Sequence, residues 1–192
     1  MPNPARHDRC ATVKKATDLF WEKGFHATSM RNLQDHIDMR PGSIYATFGS
    51  KEGLFKEVLQ YYAESGVARL SEYTDAYTSP VDALKHFMRD ALQDGETAPS
   101  EMCMLVKTIS ELTEDNGMLL EEAKRLLGVM EGAFAAVLLK AQEQGELDRN
   151  RDAWRMARFL QMQLIGLRVY ARANSDANID ELIDDVFECL SE

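Results

Sequence analysis

The chain has 192 residues, a formal net charge of −10 at pH 7 and three cysteines. This length can bury a substantial core, and no apolar run reaches the roughly 18 residues that a membrane-spanning helix needs. The first residues lack the apolar core of a secretory signal peptide. An odd number of widely spaced cysteines (Cys10, Cys103 and Cys189) argues against a disulfide framework. We therefore expect a cytoplasmic protein with no membrane partner.

The acidic net charge is unevenly distributed along the chain. Residues 1–56 hold nine Lys and Arg against six Asp and Glu, a charge of +3, whereas the remaining residues carry a charge of −13. A basic end on an acidic body is typical of a protein that presents one surface to nucleic acid. The alternative is that the acidic body only favours solubility.

The first predicted helix spans about 8–23. Val13, Ala16 and Phe20 form its buried stripe, and Gly24 ends it by supplying an unstrained left-handed residue. Arg6 and Arg9 precede or open this helix, where a solvated terminus is expected and contact with DNA phosphates is the alternative.

Two short helices joined by a tight turn are predicted between Thr28 and Lys51. Thr28 or Ser29 can cap the first of them through a side-chain oxygen. Asp38 lies where the chain reverses, and Asp tolerates the left-handed conformation better than most non-glycine residues. Pro41 suits the first turn of the second helix, because its missing N–H would be unpaired there. This is a helix-turn-helix pattern, whose second helix can enter the DNA major groove.

The motif continues beyond the turn with a specific spacing. Met-Arg-Pro-Gly-Ser-Ile-Tyr occupies 39–45, Phe48 follows, and Ser-Lys-Glu and Leu-Phe occupy 50–52 and 54–55. These residues resemble the signature of the TetR family of bacterial transcriptional regulators. The family usually has glycine where this chain has Asp38, and often a small residue where it has Gln34.

The resemblance implies an all-α fold of about nine helices in two domains. Residues 1–50 would form a three-helix DNA-binding domain, completed by the first turn of the next helix. Residues 51–192 would form a larger helical domain for effector binding and dimerisation. The expected function is a dimeric repressor, released from a near-palindromic DNA operator by a small-molecule or reactive effector. Activation in place of repression stays open.

The resemblance also implies a DNA-contact surface, for which an ordinary exposed helix start is the alternative. Thr28, Tyr45 and Lys51 would contact phosphates. Arg40 is the candidate for a base contact, because a guanidinium can donate twice to guanine. The predicted DNA-binding residues are Thr28, Ser29, Arg40, Pro41, Gly42, Ser43, Tyr45, Ala46, Thr47 and Lys51.

Further helices are predicted at about 51–76, 80–94, 102–112, 115–144, 151–173 and 178–190, where apolar stripes of helical period lie between glycine, proline or capping residues. Methionine adapts to irregular shapes and varied ligands, so methionines and aromatic residues of this body are candidates for an effector site. Plain core packing is the alternative for each of them. The candidates are Met88, Met102, Cys103, Met130, Phe134 and Trp154.

The last two helices are predicted to form the dimer interface. The eighth carries apolar residues in alternating steps of four and three, the seam of helices packed side by side. The ninth has an apolar stripe that is wide for a terminal helix covering one small monomer. The predicted interface residues are Leu160, Leu164, Leu167, Ile179, Leu182, Ile183, Val186 and Phe187.

Cys103 is a candidate switch. It lies near a predicted helix N-terminus, where the helix dipole favours a thiolate. The surrounding segment resembles a TetR subgroup that includes regulators of responses to electrophiles and oxidants. The alternative is that Cys103 is a small buried hydrophobe.

No nucleotide-binding loop, Ser-His-Asp pattern or paired-cysteine motif is visible, so we predict no enzyme and no cofactor. Asp82, His86 and Asp90 recur every four residues, but the outer two would lie roughly 12 Å apart along a helix. One ion could not bind all three, so no metal site is predicted. The competing class of protein is a helical small-molecule binder or enzyme that does not bind DNA.

Overall fold

The computed structural model describes residues 4–93 and 98–191. Within these ranges it contains nine α-helices and no β-strand, which confirms the predicted all-α class. No helix in these ranges is both long and apolar enough to cross a membrane. The helices are α1 (Pro4–Lys23), α2 (Met30–Ile37), α3 (Pro41–Phe48), α4 (Lys51–Ala76), α5 (Pro80–Gln93), α6 (Met104–Glu111), α7 (Gly117–Glu143), α8 (Ala153–Ala173) and α9 (Ile179–Ser191).

Several helix starts differ from the predicted ones. Helix α1 begins earlier, at Pro4, and α6 begins later, at Met104. Helix α8 begins at Ala153, because the Asp152 carboxylate accepts the backbone N–H groups of residues 154 and 155 and so caps the helix. A 3-10 turn at 114–116 precedes α7. The predicted last residue of α5, at position 94, lies outside the described residues.

The helices pack as two compact units. The first contains α1, α2, α3, the first half of α4 to Glu64, α6 and the start of α7 to Leu126. The second contains the rest of α4, α5, the rest of α7, α8 and α9. Each unit thus draws on separate stretches of the chain. The functional division into residues 1–50 and 51–192 stays a prediction.

Three phenylalanines form the centre of the first unit. The Phe20 and Phe55 ring centroids lie 4.7 Å apart, and those of Phe25 and Phe55 lie 5.0 Å apart, in tilted arrangements that suit aromatic pairs. All three side chains are buried, as are Leu33 of α2 and Ile44 of α3. Burying a large apolar side chain contributes roughly 1.5–3 kcal/mol. This core therefore fixes α1 and α4 and gives α2 and α3 a common surface to pack on.

Helix α6 holds the reversal between α1 and α2 from outside. The Glu111 carboxylate accepts the backbone N–H of Phe25 at 3.0 Å and that of His26 at 2.6 Å. One turn earlier on α6, the Lys107 ammonium donates to the carbonyl oxygens of Trp21 and Glu22, at 2.9 and 2.7 Å. A cation at the C-terminal end of α1 is also favoured by the helix dipole. Two side chains of opposite charge therefore satisfy backbone groups on both sides of the reversal.

In the second unit, α5 and α8 bury the apolar stripe of α9. Ile183, Phe187 and Leu190 have almost no exposed surface and belong to the same core as Leu84 of α5 and Leu160 of α8. On the outer side, Lys85 pairs with Asp184 at 2.7 Å, and Arg89 pairs with Asp180. The apolar face of α9 is therefore used within one protomer.

The contact between Glu111 and the α1–α2 reversal predicts that Gly→Ala lowers the free energy of unfolding more at Gly24 than at Gly145. Gly24 and Gly145 have nearly equal backbone angles, φ +83° and +80°. A left-handed L-residue costs about 1–2 kcal/mol, which is the loss expected for Gly145→Ala, where a Cβ meets no atom within 4 Å. At Gly24 a Cβ would lie 2.5 Å from Glu111 Oε2. Gly24→Ala must displace that carboxylate, so it should lower the free energy of unfolding further in urea denaturation. Equal losses at the two positions would contradict the role given to Glu111.

Candidate nucleic-acid interface

Helix α2 starts with a reciprocal cap. The Ser29 hydroxyl accepts the Asn32 N–H at 3.1 Å, and the Asn32 side-chain oxygen accepts the Ser29 N–H at 3.0 Å. This capping box satisfies two backbone donors at once. It confirms Ser29, rather than Thr28, as the cap of this helix.

The turn between α2 and α3 is made by Asp38 and Arg40. Asp38 is left-handed, with φ 54° and ψ 47°, as the sequence predicted, and its N–H donates to the Gln34 carbonyl oxygen. Arg40 is extended, with φ −63° and ψ 144°, and makes no side-chain cap for α3. Its guanidinium makes no ion pair with the described residues. Arg40 is thus an exposed cation at the first turn of α3, and its side chain is free to meet a partner.

Helix α3 has one buried face and one open face. Ile44 and Phe48 are buried in the first unit, while Gly42, Ser43 and Ala46 are exposed. Pro41 and Thr47 are half-buried, and half of the Tyr45 surface is exposed. A Cβ placed on Gly42 would meet no atom within 4 Å, so the space in front of the helix start is empty. The predicted DNA-facing residues of α3 therefore share one accessible edge.

Thr28 does not belong to this edge. Its side chain is fully buried, and its hydroxyl donates to the Gly24 carbonyl oxygen at 2.6 Å. A buried hydroxyl that is already engaged cannot contact a phosphate in this structure. The predicted phosphate contact by Thr28 is wrong, and the residue instead closes the reversal between α1 and α2.

Lys51, at the start of α4, is half-buried. Its ammonium lies 4.2 Å from the centroid of the Phe25 ring, a cation–π distance. Burial lowers the pKa of Lys51, while the nearby carboxylates of Glu52 and Glu111 act in the opposite direction. In this structure Lys51 therefore lies against the core at the edge of the unit, and its contact with a phosphate stays a prediction.

The predicted effector residues are divided between the core and the surface. Met88 and Phe134 are buried in the core of the second unit, and Met130 packs against that core. Trp154, by contrast, is more than half exposed and lies against Gly132 of α7, outside that core. Met102 and Cys103 are half-buried and directly precede α6. Effector contact by each of these candidates stays a prediction.

Most of the predicted dimer residues lie in the core of one protomer. The reason is that α5 supplies the partner for the apolar stripe of α9, a role that the sequence reading gave to a second copy. Leu160, Leu167, Ile183, Val186 and Phe187 are buried. Ile179, Leu182 and Leu164 are half-buried and pack against the same core. The assignment of the buried residues to a dimer interface is therefore corrected.

A different apolar surface is exposed on α7 and α8, and we call it the α7–α8 face. The two helices are joined by the Gln161 side chain, which donates to the Leu127 carbonyl oxygen at 2.9 Å, and by an Arg158–Glu131 ion pair at 3.4 Å. Large apolar side chains lie on the outside of this pair. The exposed ones are Val129, Leu139, Trp154, Met162, Val169 and Tyr170.

The fold and the open edge of α3 define an all-α protein with an N-terminal helix-turn-helix unit. Comparison with known families agrees with this class. Residues 13–58 match the model of bacterial regulatory proteins of the tetR family, and residues 66–184 match the tetracyclin repressor-like C-terminal domain. The chain belongs to the TetR family, as the sequence motif predicted, and it is a helix-turn-helix transcriptional regulator.

Curated relatives match over nearly the whole chain. The chain is 29% identical over 188 residues to the uncharacterized HTH-type transcriptional regulator YezE of Bacillus subtilis, covering 96% of this chain and 95% of YezE. It is 26% identical over 182 residues to the HTH-type transcriptional repressor ComR of Escherichia coli, covering 94% and 86% of the two chains.

Solved structures show the same fold. A cysteine mutant of the TetR-family regulator CifR, complexed with 26-base-pair operator DNA, has a TM-score of 0.79 and 24% identity and covers 94% of both chains. A second CifR cysteine mutant with operator DNA has a TM-score of 0.78 and 25% identity, with 93% of both chains covered.

Proposed function

We propose that this protein is a cytoplasmic, dimeric repressor that binds a near-palindromic DNA operator through the exposed edge of α3. The observation that carries the proposal is that Arg40, Gly42 and Tyr45, at and near the start of α3, are all exposed on a positively charged N-terminal segment. The ComR relative is a repressor and the CifR structures hold operator DNA, which supports repression through DNA binding. Together they favour this reading over a catalytic or purely ligand-binding helical protein.

The residues of the edge have different proposed roles. Arg40 reads a base, since its exposed guanidinium has no ion-pair partner among the described residues and can donate twice to guanine. Tyr45 and Lys51 contact phosphates, which set register and affinity but carry no sequence information. Gly42 and Ser43 let the backbone approach the groove closely, and Ala46 and Thr47 contact a thymine methyl. Ser29 and Pro41 start the two helices and are proposed to contact the DNA as well.

The second copy is proposed to pack on the α7–α8 face. Large apolar side chains are exposed on α7 and α8, and exposed apolar surface can mark an interaction site. Helix α9, in contrast, exposes mainly acidic groups, including Asp180, Asp184 and Glu188. A two-fold dimer would place the same face of each protomer together. Its two α3 helices would then lie about one turn of B-DNA apart, roughly 34 Å.

The effector is proposed to act through α6. Cys103 directly precedes α6, and α6 carries the Lys107 and Glu111 side chains that hold the reversal before the helix-turn-helix. A ligand or covalent modification that moves the start of α6 would therefore act on those bonds. It can shift the equilibrium between DNA-bound and released forms only by its differential affinity for the two. Met88, Met130 and Phe134 are the proposed contacts for a non-covalent effector.

Two substitutions on α3 should separate affinity from sequence preference. A duplex selected by the wild-type protein from a random-sequence pool, and a scrambled duplex of the same composition, serve as probes. Tyr45→Ala should weaken binding to both and lower the log-log salt slope by about one. Arg40→Ala should in addition reduce the preference for the selected duplex, by about 1–3 kcal/mol. Lys23→Ala removes a cation from the same unit and should leave that preference unchanged. An Arg40→Ala variant with full preference would refute the base contact.

Charge substitutions should locate the dimer interface. Met162 is 58% exposed on the α7–α8 face, and Met118 is 87% exposed at the start of α7. Met162→Asp should shift the sedimentation coefficient from dimer to monomer at micromolar concentration, because it buries an unpaired charge in the interface. Met118→Asp is the control and should remain dimeric. Val186→Asp should unfold the protein, since Val186 is buried in the protomer. A Met162→Asp variant that sediments as the wild-type dimer would rule out this face.

The role of Cys103 can be tested with a thiol-reactive electrophile. Treatment should release the selected duplex from the wild-type protein and leave Cys103→Ser bound, as measured by fluorescence anisotropy. Cys10 and Cys189 are both exposed and remain in the variant as internal controls. If both proteins lose binding to the same degree, or neither does, Cys103 is not the switch.

A further inference from the structure

Arg9, near the start of α1, joins three helices through one side chain. Its Nε donates to Glu57 Oε2 of α4 at 3.0 Å, and its Nη2 donates to Glu57 Oε1. Its Nη1 donates to the backbone carbonyl oxygen of Thr47, in the last turn of α3, at 2.8 Å. The guanidinium carbon also lies 4.7 Å from the centroid of the Phe48 ring. Every nitrogen of the guanidinium is therefore used inside the helix-turn-helix unit.

These contacts suit the chemistry of arginine and of a helix end. A planar guanidinium can grip a carboxylate with two parallel N–H groups and still present a third donor and an aromatic-facing surface. The carbonyl oxygens of the last turn of a helix have no partner within the helix. Arg9 supplies that partner for Thr47, and its positive charge is favoured at the C-terminal end of α3.

Helix α3 depends on few other contacts for its orientation. It has only eight residues, of which Ile44 and Phe48 are buried, and its N-cap residue Arg40 makes no side-chain cap. The N-terminal end of α3 is therefore accessible to a partner, whereas its C-terminal end is held by side-chain contacts. Thr47 and Phe48 contact Arg9, which in turn binds Glu57.

This arrangement differs from both possibilities considered for Arg9, a solvated terminus and a phosphate contact. Glu57 neutralises the guanidinium and occupies the two donors that would grip an anion. The side chain of Arg6, which was given the same role, lies outside the described residues.

We propose that Arg9 is a positioning residue for operator recognition. Resting on the proposed function of α3, it acts with Glu57 to hold the C-terminal end of α3, so that Arg40 and Tyr45 at the other end meet the groove in register. The pair is partly exposed on both sides, and exposed ion pairs contribute little to global stability. Its effect is therefore on the direction of a short helix, and is seen in binding to a specific sequence.

Glu57→Ala gives the decisive test, because electrostatics and positioning predict opposite changes in the affinity for the selected duplex. Removing an acidic group from a DNA-binding unit strengthens attraction to any duplex. If Glu57 holds Arg9 in place, the same substitution should weaken binding to the duplex selected by the wild-type protein by roughly threefold to tenfold, the range expected for a bidentate charged contact. Affinity for the scrambled duplex should stay equal or rise. Glu72→Ala removes an exposed acidic group from the same helix, and should leave the ratio of the two affinities unchanged.

Two Arg9 variants complete the experiment. Arg9→Met should lower the same ratio while leaving the salt slope at its wild-type value, whereas loss of a phosphate contact would lower that slope by about one. The affinity ratio of Arg9→Lys should lie between those of Arg9→Met and the wild type, since an ammonium retains the charge but cannot make the paired N–H contacts of a guanidinium. Circular dichroism verifies that each variant is folded at the temperature of measurement. A purely structural role would reduce both affinities by the same factor.

The outcomes are distinct. The inference is overturned if Glu57→Ala binds the selected duplex as tightly as the wild type or more tightly, or if Arg9→Met lowers the salt slope. A wild-type protein that enriches no duplex from the pool contradicts the proposed function itself, and this is known before any variant is made.

Discussion

The presentation of α3 depends on the reversal between α1 and α2. Gly24 provides the left-handed backbone, Thr28 closes the turn with a buried hydrogen bond, and Glu111 accepts the two N–H groups between them. Phe25 is buried, and a buried backbone donor without a partner is costly, so the Glu111 carboxylate stabilises the reversal in this form. Helix α2 starts directly after it, and α3 packs on α2 with Ile44 and Phe48 buried.

The same hydrogen bonds suggest how a change near Cys103 could alter DNA binding by the helix-turn-helix. Glu111 and Lys107 belong to α6, whose first residue follows Cys103 in the chain. In the proposed mechanism, a change at the start of α6 would act on the two side chains of that helix that bond to backbone groups around the end of α1. At the other end of the helix-turn-helix, Arg9 holds the last turn of α3. The unit is thus held at both ends by charged side chains that bond to backbone groups, and its exposed middle is left for the partner.

Local signals predicted the helix-turn-helix well. The cap at Ser29, the left-handed Asp38 and the helix start at Pro41 each depend on residues within a few positions, and the structure confirms all three. Partners that lie far apart in the chain could not be predicted. Glu111 is 85 positions from His26 and Glu57 is 48 from Arg9, and no periodicity encodes such pairs. An apolar stripe, likewise, shows that a helix face is buried but not what covers it. That is why α9 was assigned to a second copy although α5 covers it.

Amide hydrogen exchange with and without the selected duplex tests the central claim most directly, since exchange reports local opening over minutes to hours. If the reversal is preformed and α3 is the contact surface, amides of residues 25–28 are slow in the free protein and change little. Amides of residues 42–51 then slow markedly when the duplex is added. Strong protection within the second unit, with residues 42–51 exchanging equally fast in both samples, would contradict the account.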